Sequence, residues 1–532
     1  MSDPAHELRK QYPVILIRFL QSIPFHPPLF SVFPVVFLLS TNIDQVVIGE
    51  AARSFIAFLA AALLVWAILG LVIRSVARAA VIVFLLMVLL FTYPLYSVWF
   101  VQTVAVVLMF LGLFVFIGMS RRNWQPVTFF LNIASMAVMA FPSFNIAYHL
   151  VTPSSSVMTE ANAYQEPPDV EGFAGSKPDI YYIILDGYAR EDVLRQFYGY
   201  DNAPFLDFLR RHGFYIADQA RANYSRTNLS LASSLNFTYL QKFVENNNLV
   251  KSRDMKPLRV AIYGNRVMAF LKRFGYTTYA YGSGIFRTNF TGADKFFKSK
   301  TILNDFENTL LGNTPIHRLM YKFALGSPYD RHRESLLATL EDLAEAPAFP
   351  SPKFVFAHFI CPHPPFVFTA DGSPAHPANP NYAFTDGNTA IGPFLTQEEY
   401  RQGYREQLHY LNTRLMKTID RLLQDDPDAI VIIQSDHGPG MTLDWESAEK
   451  TNMKERLSIL NAIRFPDDGR GLPYPTMSPV NTFRLIFNGY LGAEFKPLPD
   501  TSYFCVAGSP YFFIEILLMN PELPTIHASR AE

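Results

Sequence analysis

Residues 54–73, 79–98, 99–119 and 126–147 are almost continuously apolar and carry next to no charge, and a shorter run of the same kind, 28–42, precedes them. A helix needs about 20 such residues to cross the hydrocarbon core of a bilayer. Runs of this length following one another exceed what an ordinary water-soluble core takes up, so 28–147 is expected to be a transmembrane domain of about five helices. Charged residues make up only 17% of the chain against 50% hydrophobic, and the shortage of charge lies in the first 150 residues, which is how a membrane domain reads. The third and fourth spans are parted by the short polar break at 96–102, where Tyr93, Tyr96 and Trp99 suit an interfacial aromatic belt.

Orientation follows from the arginines. Arg9, Lys10 and Arg18 precede the first span, Arg74 and Arg78 part the second from the third, and Arg121 and Arg122 part the fourth from the fifth. With five spans all of these share one side, so positive charge places the amino terminus in the cytoplasm and everything beyond residue 148 outside. Residues 1–27 are a cytoplasmic or interfacial segment. They lack a short apolar core with a small-residue cleavage site, so an uncleaved anchor is expected. Residues 148–177, rich in Pro, Ser, Gly and acids without an apolar period, form a linker.

Beyond the linker the pattern changes to that of a water-soluble domain, 178–532. Apolar runs at 180–185, 277–281, 354–360 and 430–434 alternate with helical patterns, which argues for βαβ units and a mostly parallel central sheet. Asp201-Asn202 with Pro204 opens a helix that faces Phe205, Leu206, Phe208 and Leu209 inward. Thr396 and Glu399 have capping-box spacing and open a helix with Tyr400, Tyr404, Leu408, Leu411, Leu415, Ile419 and Leu422 on one face. The net charge of -1 and the absence of a Lys/Arg-rich run exclude a nucleic-acid partner. Both cysteines, Cys361 and Cys505, fall in this half, where an oxidising compartment would allow them to pair.

Four local signals fall at or near the ends of these elements. The strand at 180–185 closes in Asp186-Gly187; residues 223–236, NYSRTNLSLASSLN, are dense in hydroxyls and amides; HFICPHPPF follows a strand at 358–366; and Ser435-Asp436-His437-Gly438 follows another. Open α/β sheets place ligand chemistry at such carboxyl ends. Two acids and a histidine supply three ligands for a divalent cation and leave a position for a reacting oxygen, which a hydroxyl of the second segment can fill. Each signal alone also reads as a turn, a capping Asp, a Pro-rich loop or a solvated loop. Asn223, Asn228, Asn236 and Asn289 match the N-glycosylation pattern, and no sugar is assigned to them.

In this order the signals resemble the sulfatase branch of the alkaline phosphatase superfamily, and with the amino-terminal spans its membrane-anchored members, the lipoteichoic acid synthases and lipid A phosphoethanolamine transferases. The resemblance implies a multi-pass helical membrane domain followed by an alkaline-phosphatase-like α/β domain. Asp186 stands at the family's first metal-binding acid, and Asp436 with His437 at the later pair. Thr227-Asn228-Leu229-Ser230 has the spacing of the transferases' nucleophile, which makes Thr227 the nucleophile and a further metal ligand. His363 resembles a substrate-site histidine and Arg287 a phosphate-binding arginine. The Cys/Ser-x-Pro-Ser-Arg setting that sulfatases need for formylglycine is absent, and Gly187 replaces a second acid, which favours one principal cation, Zn or Mn. Two cysteines fall short of the several disulfides of the phosphoethanolamine transferases.

The function so implied is transfer of a phosphorus-containing head group, of phosphoglycerol or phosphoethanolamine type, from a membrane phospholipid donor to an envelope glycan or lipid acceptor. The site would face the periplasm or the outer surface of the cytoplasmic membrane. The alternatives are an extracytoplasmic phosphodiesterase or sulfuric ester hydrolase, and a non-enzymatic membrane scaffold that keeps the fold.

Overall fold

The computed structural model describes residues 20–43, 46, 48–97, 99–151, 177–283, 288, 290, 292–298, 303–312, 314–320, 327–375, 383–467, 473–517 and 525–528. The chain divides into two compact units, Met1–Ser155 with Leu303–Gly326, and Ser156–Ile302 with Ser327–Glu532.

In the first unit five apolar helices follow one another: α1 (His26–Thr41), α2 (Ile48–Ile73), α3 (Val76–Phe91), α4 (Phe100–Met119) and α5 (Gln125–Val151). Among the described residues α2, α4 and α5 are long and apolar enough to cross a membrane, while α1 and α3 have 16 residues each. The third helix is therefore shorter than the 79–98 read from hydropathy. Pro94 lacks the N–H that would continue α3. A separate turn of helix, Tyr93–Tyr96, follows instead, and the Tyr96 hydroxyl donates back to Leu89 O at 2.5 Å. Leu71, Phe100 and Phe130 are among the large side chains left exposed, as on a surface solvated by lipid. Inside, Asn132 of α5 donates to the carbonyls of Leu20 and Ile23 and accepts from the N–H groups of Phe25 and His26, which ties the entry of α1 to α5.

Residues 303–326 belong to this helical unit, although their position in the sequence puts them within 178–532. The cause is a single apolar face: Phe306 and Leu310, on the helix Asp305–Gly312, pack in one cluster with Val35, Leu39, Ile43 and Ala51. Asn304 donates to Glu50 O at 3.1 Å, and buried Glu307 is paired with Arg53.

The second unit is built on a seven-stranded sheet in the order β2-β7-β6-β1-β5-β3-β4. The strands are β1 (Ile180–Leu185), β2 (Phe214–Ile216), β3 (Thr277–Tyr281), β4 (Lys295–Phe297), β5 (Lys353–Phe359), β6 (Ile430–Gln434) and β7 (Asn461–Arg464). Only β7 runs against the rest. The central strands are apolar on both sides because both faces are covered. On one face Ile180, Tyr182 and Ile184 pack with α6 (Thr227–Leu235) and α9 (Pro479–Leu491). On the other, Tyr181, Ile183 and Leu185 meet α7 (Pro328–Ala344) and the 29-residue α8 (Gln397–Asp425). α8 starts on the capping box read from Thr396 and Glu399, and its whole apolar stripe is buried.

Cys361 and Cys505 are both free and lie in cores on opposite faces of the sheet, so they do not pair. Of the four sequons, Asn223 and Asn236 are buried with their amides hydrogen-bonded inside the fold, and Asn289 lies outside the described residues. The parallel register sets Leu185 opposite Phe359 and Ile184 opposite Gln434, so the chain leaves β1, β5 and β6 at one edge, where the candidate residues emerge side by side.

Candidate active site

Asp186 leaves β1 with its N–H on Phe359 O at 2.9 Å, and its own carbonyl accepts from His363 N at 3.0 Å. Gly187 then takes φ +74, a left-handed conformation that favours glycine, and donates its N–H to Asp436 Oδ1 at 3.2 Å. Ser435 Oγ, at the end of β6, receives Tyr188 N at 2.8 Å. The two strand ends are thus laced by backbone and the two acids brought together. Asp186, Asp436 and His437 are all buried and present ligand atoms within 4.8 Å of one another. Thr227, at the first turn of α6, sets its Oγ1 3.0 Å from His437 Nε2 and 3.5 Å from Asp186 Oδ2. A helix start also favours negative charge developing there.

Among the described residues no Lys or Arg pairs with Asp186 or Asp436. Asp186 Oδ1 and Asp436 Oδ2 are buried without a hydrogen-bond partner, a costly state for a carboxylate that a bound cation would relieve. His437 Nδ1 donates to Gly438 O at 2.9 Å, which leaves Nε2 as a lone pair toward the acids. Burial and then Arg456 lower the His437 pKa, against the pull of Asp436 and Asp186, which favours the neutral ring that a metal ligand would need. Burial pushes the Asp186 carboxyl up, but His363, His358 and His437 around it outweigh burial and hold it below the usual carboxylate range. Two carboxylates, an imidazole and a hydroxyl suit Zn or Mn. The residues present therefore fit a single divalent cation.

His363 stands at the edge of this group, its ring centroid 6.2 Å from that of His437 and its Nδ1 donating to Pro364 O. Arg287 lies outside the described residues.

Three further residues carry no motif that sequence alone would single out. His358 on β5 is buried with Nε2 3.4 Å from Asp186 Oδ2, and Thr288 Oγ1 meets its Nδ1 at 3.2 Å. It belongs to the tract at 358–366, and its parity on β5, the same side as Phe354 and Phe356, was the available signal. Asp386 and Arg456 form a buried ion pair at 3.0 Å beside His363, 70 residues apart in sequence. Asp386-Gly387-Asn388 reads only as a turn, and Arg456 lies in the polar stretch after Ser435-Asp436-His437-Gly438.

No curated protein matches the chain significantly in sequence. Among solved structures, the C-terminal periplasmic domain of EptC from Escherichia coli in complex with Zn is similar at 14% identity and TM-score 0.42, over 63% of this chain and 92% of that one. The phosphonate monoester hydrolase of Agrobacterium radiobacter is similar at 14% identity and TM-score 0.43, over 66% and 87%. The soluble domain of lipooligosaccharide phosphoethanolamine transferase A from Neisseria meningitidis gives 14% and 0.35, over 60% and 90%. A sequence model of the sulfatase family matches residues 178–465, from the start of β1 to the end of β7. With more than half of its length matched, and with acids and histidine gathered at the carboxyl ends of β1 and β6, the chain belongs to the sulfatase family of the alkaline phosphatase superfamily.

Proposed function

We propose that this protein is a membrane-anchored, metal-dependent transferase that moves a phosphoglycerol- or phosphoethanolamine-type head group from a phospholipid to a surface glycan or lipid through a phosphothreonine. The observation that carries the reading is Thr227: a threonine hydroxyl, where formylglycine formation would need Cys or Ser, held 3.0 Å from a buried histidine and beside two buried acids, each with an oxygen that lacks a hydrogen-bond partner.

A divalent cation at Asp186, Asp436, His437 and Thr227 would lower the pKa of the hydroxyl and offset charge on the transferred group. The rest falls to the chain. Thr227 Oγ forms a bond to phosphorus as the bond from phosphorus to the diacylglycerol oxygen breaks. The proton that the hydroxyl gives up is matched by the one the departing oxygen takes. His363, at the edge of the site, and Arg287, from the sequence alone, would hold the non-bridging oxygens, the preorganised kind of stabilisation that often dominates catalysis. In the second half an acceptor hydroxyl attacks the same phosphorus and Thr227 is restored. Burial of Asp186 and Asp436 would keep bulk water from the side of the site where a cation would be held. The apolar amino-terminal helices would hold the site beside an insoluble donor, with the domain on the outer face and the amino terminus inside.

The test is mass spectrometry of the purified protein after incubation with phospholipid. An adduct on Thr227 with the mass of a phosphorylated head group is expected. Turnover in Thr227→Ala equal to the parent's would sink the assignment. The product formed with and without an acceptor hydroxyl separates transfer from hydrolysis, which shares the first half.

A further inference from the structure

Asp386 is almost completely buried, on a loop that belongs to none of the strand ends, and its carboxylate has a partner for each oxygen. Tyr400 donates to Oδ1 at 2.7 Å, Arg456 Nη1 donates to Oδ2 at 3.0 Å, and His363 Nε2 stands 3.8 Å from Oδ2. Trp445 donates its indole N–H to Asp386 O at 2.9 Å. The buried guanidinium of Arg456 is the key neighbour. Its Nε and Nη2 donate to Ser225 O at 3.0 and 2.9 Å, and its Nη1 also donates to Gly438 O at 2.9 Å. Ser225 lies two residues before Thr227 and Gly438 directly after His437. One cation therefore joins the loop that carries the hydroxyl to the loop that carries the later metal-ligand pair, and Asp386 is its carboxylate partner. Space for that carboxylate is kept by Gly440, where a Cβ would come 2.2 Å from Asp386 Oδ2.

We infer that Asp386 is a positioning residue: through Arg456 it fixes Thr227 against Asp436 and His437, and it seats His363 against the same site. The inference rests on the reading of Thr227 as nucleophile. A buried guanidinium that loses the carboxylate paired with it has reason to move toward other acceptors, and the two loops it bridges move with it. Displacements of about 1 Å in a reacting pair cost on the order of 100-fold in rate.

Two variants test this in the full-length protein with Mn or Zn and a 4-nitrophenyl phosphodiester as probe. Asp386→Asn keeps an acceptor for Tyr400 and removes the charge; Gly440→Ala keeps the charge and displaces the carboxylate. In both, metal affinity measured by calorimetry should stay within about 3-fold of the parent, because no proposed ligand is touched. The single-turnover rate of nitrophenol release should fall about 10- to 100-fold with little change in KM. An unchanged rate in a folded Asp386→Asn protein overturns the inference. So does a loss of metal affinity that matches the loss of rate, or loss of the fold in both variants, since either makes the pair merely structural. Failure of the nucleophile reading shows separately, as nitrophenol release that survives in Thr227→Ala; the effect of Asp386→Asn on release is then still read.

Discussion

At the scale of single residues, the site is two buried acids with which, among the described residues, no Lys or Arg pairs. Asp436→Asn should lose the bound metal together with activity, and elemental analysis of the purified variant checks it; full occupancy would exclude Asp436 as a ligand. Asp186, Asp436 and His437 were legible in the sequence because they follow apolar strands within three residues, where polar residues mark the exit from the core. Asp386 and Arg456 were not legible: each sits in an unpatterned polar stretch, and they acquire meaning only by meeting across 70 residues. A second prediction belongs to His332, which is buried on α7 and has its pKa pushed down to about 3, first by burial and then by His363. In the unfolded chain it would titrate near 6.5. As pH falls below about 6.5 the unfolded chain takes up a proton that the folded one refuses, so the stability present above that pH is lost. The loss is about 2 kcal/mol by pH 5. Denaturant melts across this range should show the slope, and His332→Leu should flatten it.

At the scale of elements, the strands that were legible are the ones buried on both faces, where continuous apolar runs leave no other reading. β2, β4 and β7 escaped because they are three or four residues long and lie at the sheet's margins, where pairing rather than composition defines them. The start of α8 was legible for a local reason, since Thr396 and Glu399 cap each other reciprocally. Thr396→Ala should therefore cost about 1 kcal/mol, read as a shift in the urea midpoint with an unchanged slope. Activity should change little, because Thr396 is exposed and, among the described residues, its side chain bonds only with Glu399 of the same cap. The length of α3 was misjudged for the opposite reason: hydropathy counts apolar residues and does not see that Pro94 ends a helical run.

At the scale of the whole molecule, hydropathy separated an apolar half from an α/β half but could not see that residues 303–326 cross back. Phe306 and Leu310 look like an ordinary amphipathic face in a sequence; only packing reveals that their partners are Val35, Leu39 and Ala51. A fragment of 178–532 expressed alone should expose that face and aggregate. The same fragment with 303–326 replaced by a short Gly/Ser linker should run as a monomer on size exclusion, and equal aggregation of both would count against the assignment of the segment. Residues 303–326 thus count with the helical unit, although the sequence on both sides of them counts with the α/β unit. A protease that cuts between residues 148 and 177 severs the one stretch of backbone that runs from the apolar helices to the rest of the chain. What would then hold 178–532 to the apolar helices is no peptide bond but the packing of Phe306 and Leu310 on Val35, Leu39 and Ala51, so loss of that face together with the cut would set the second unit free.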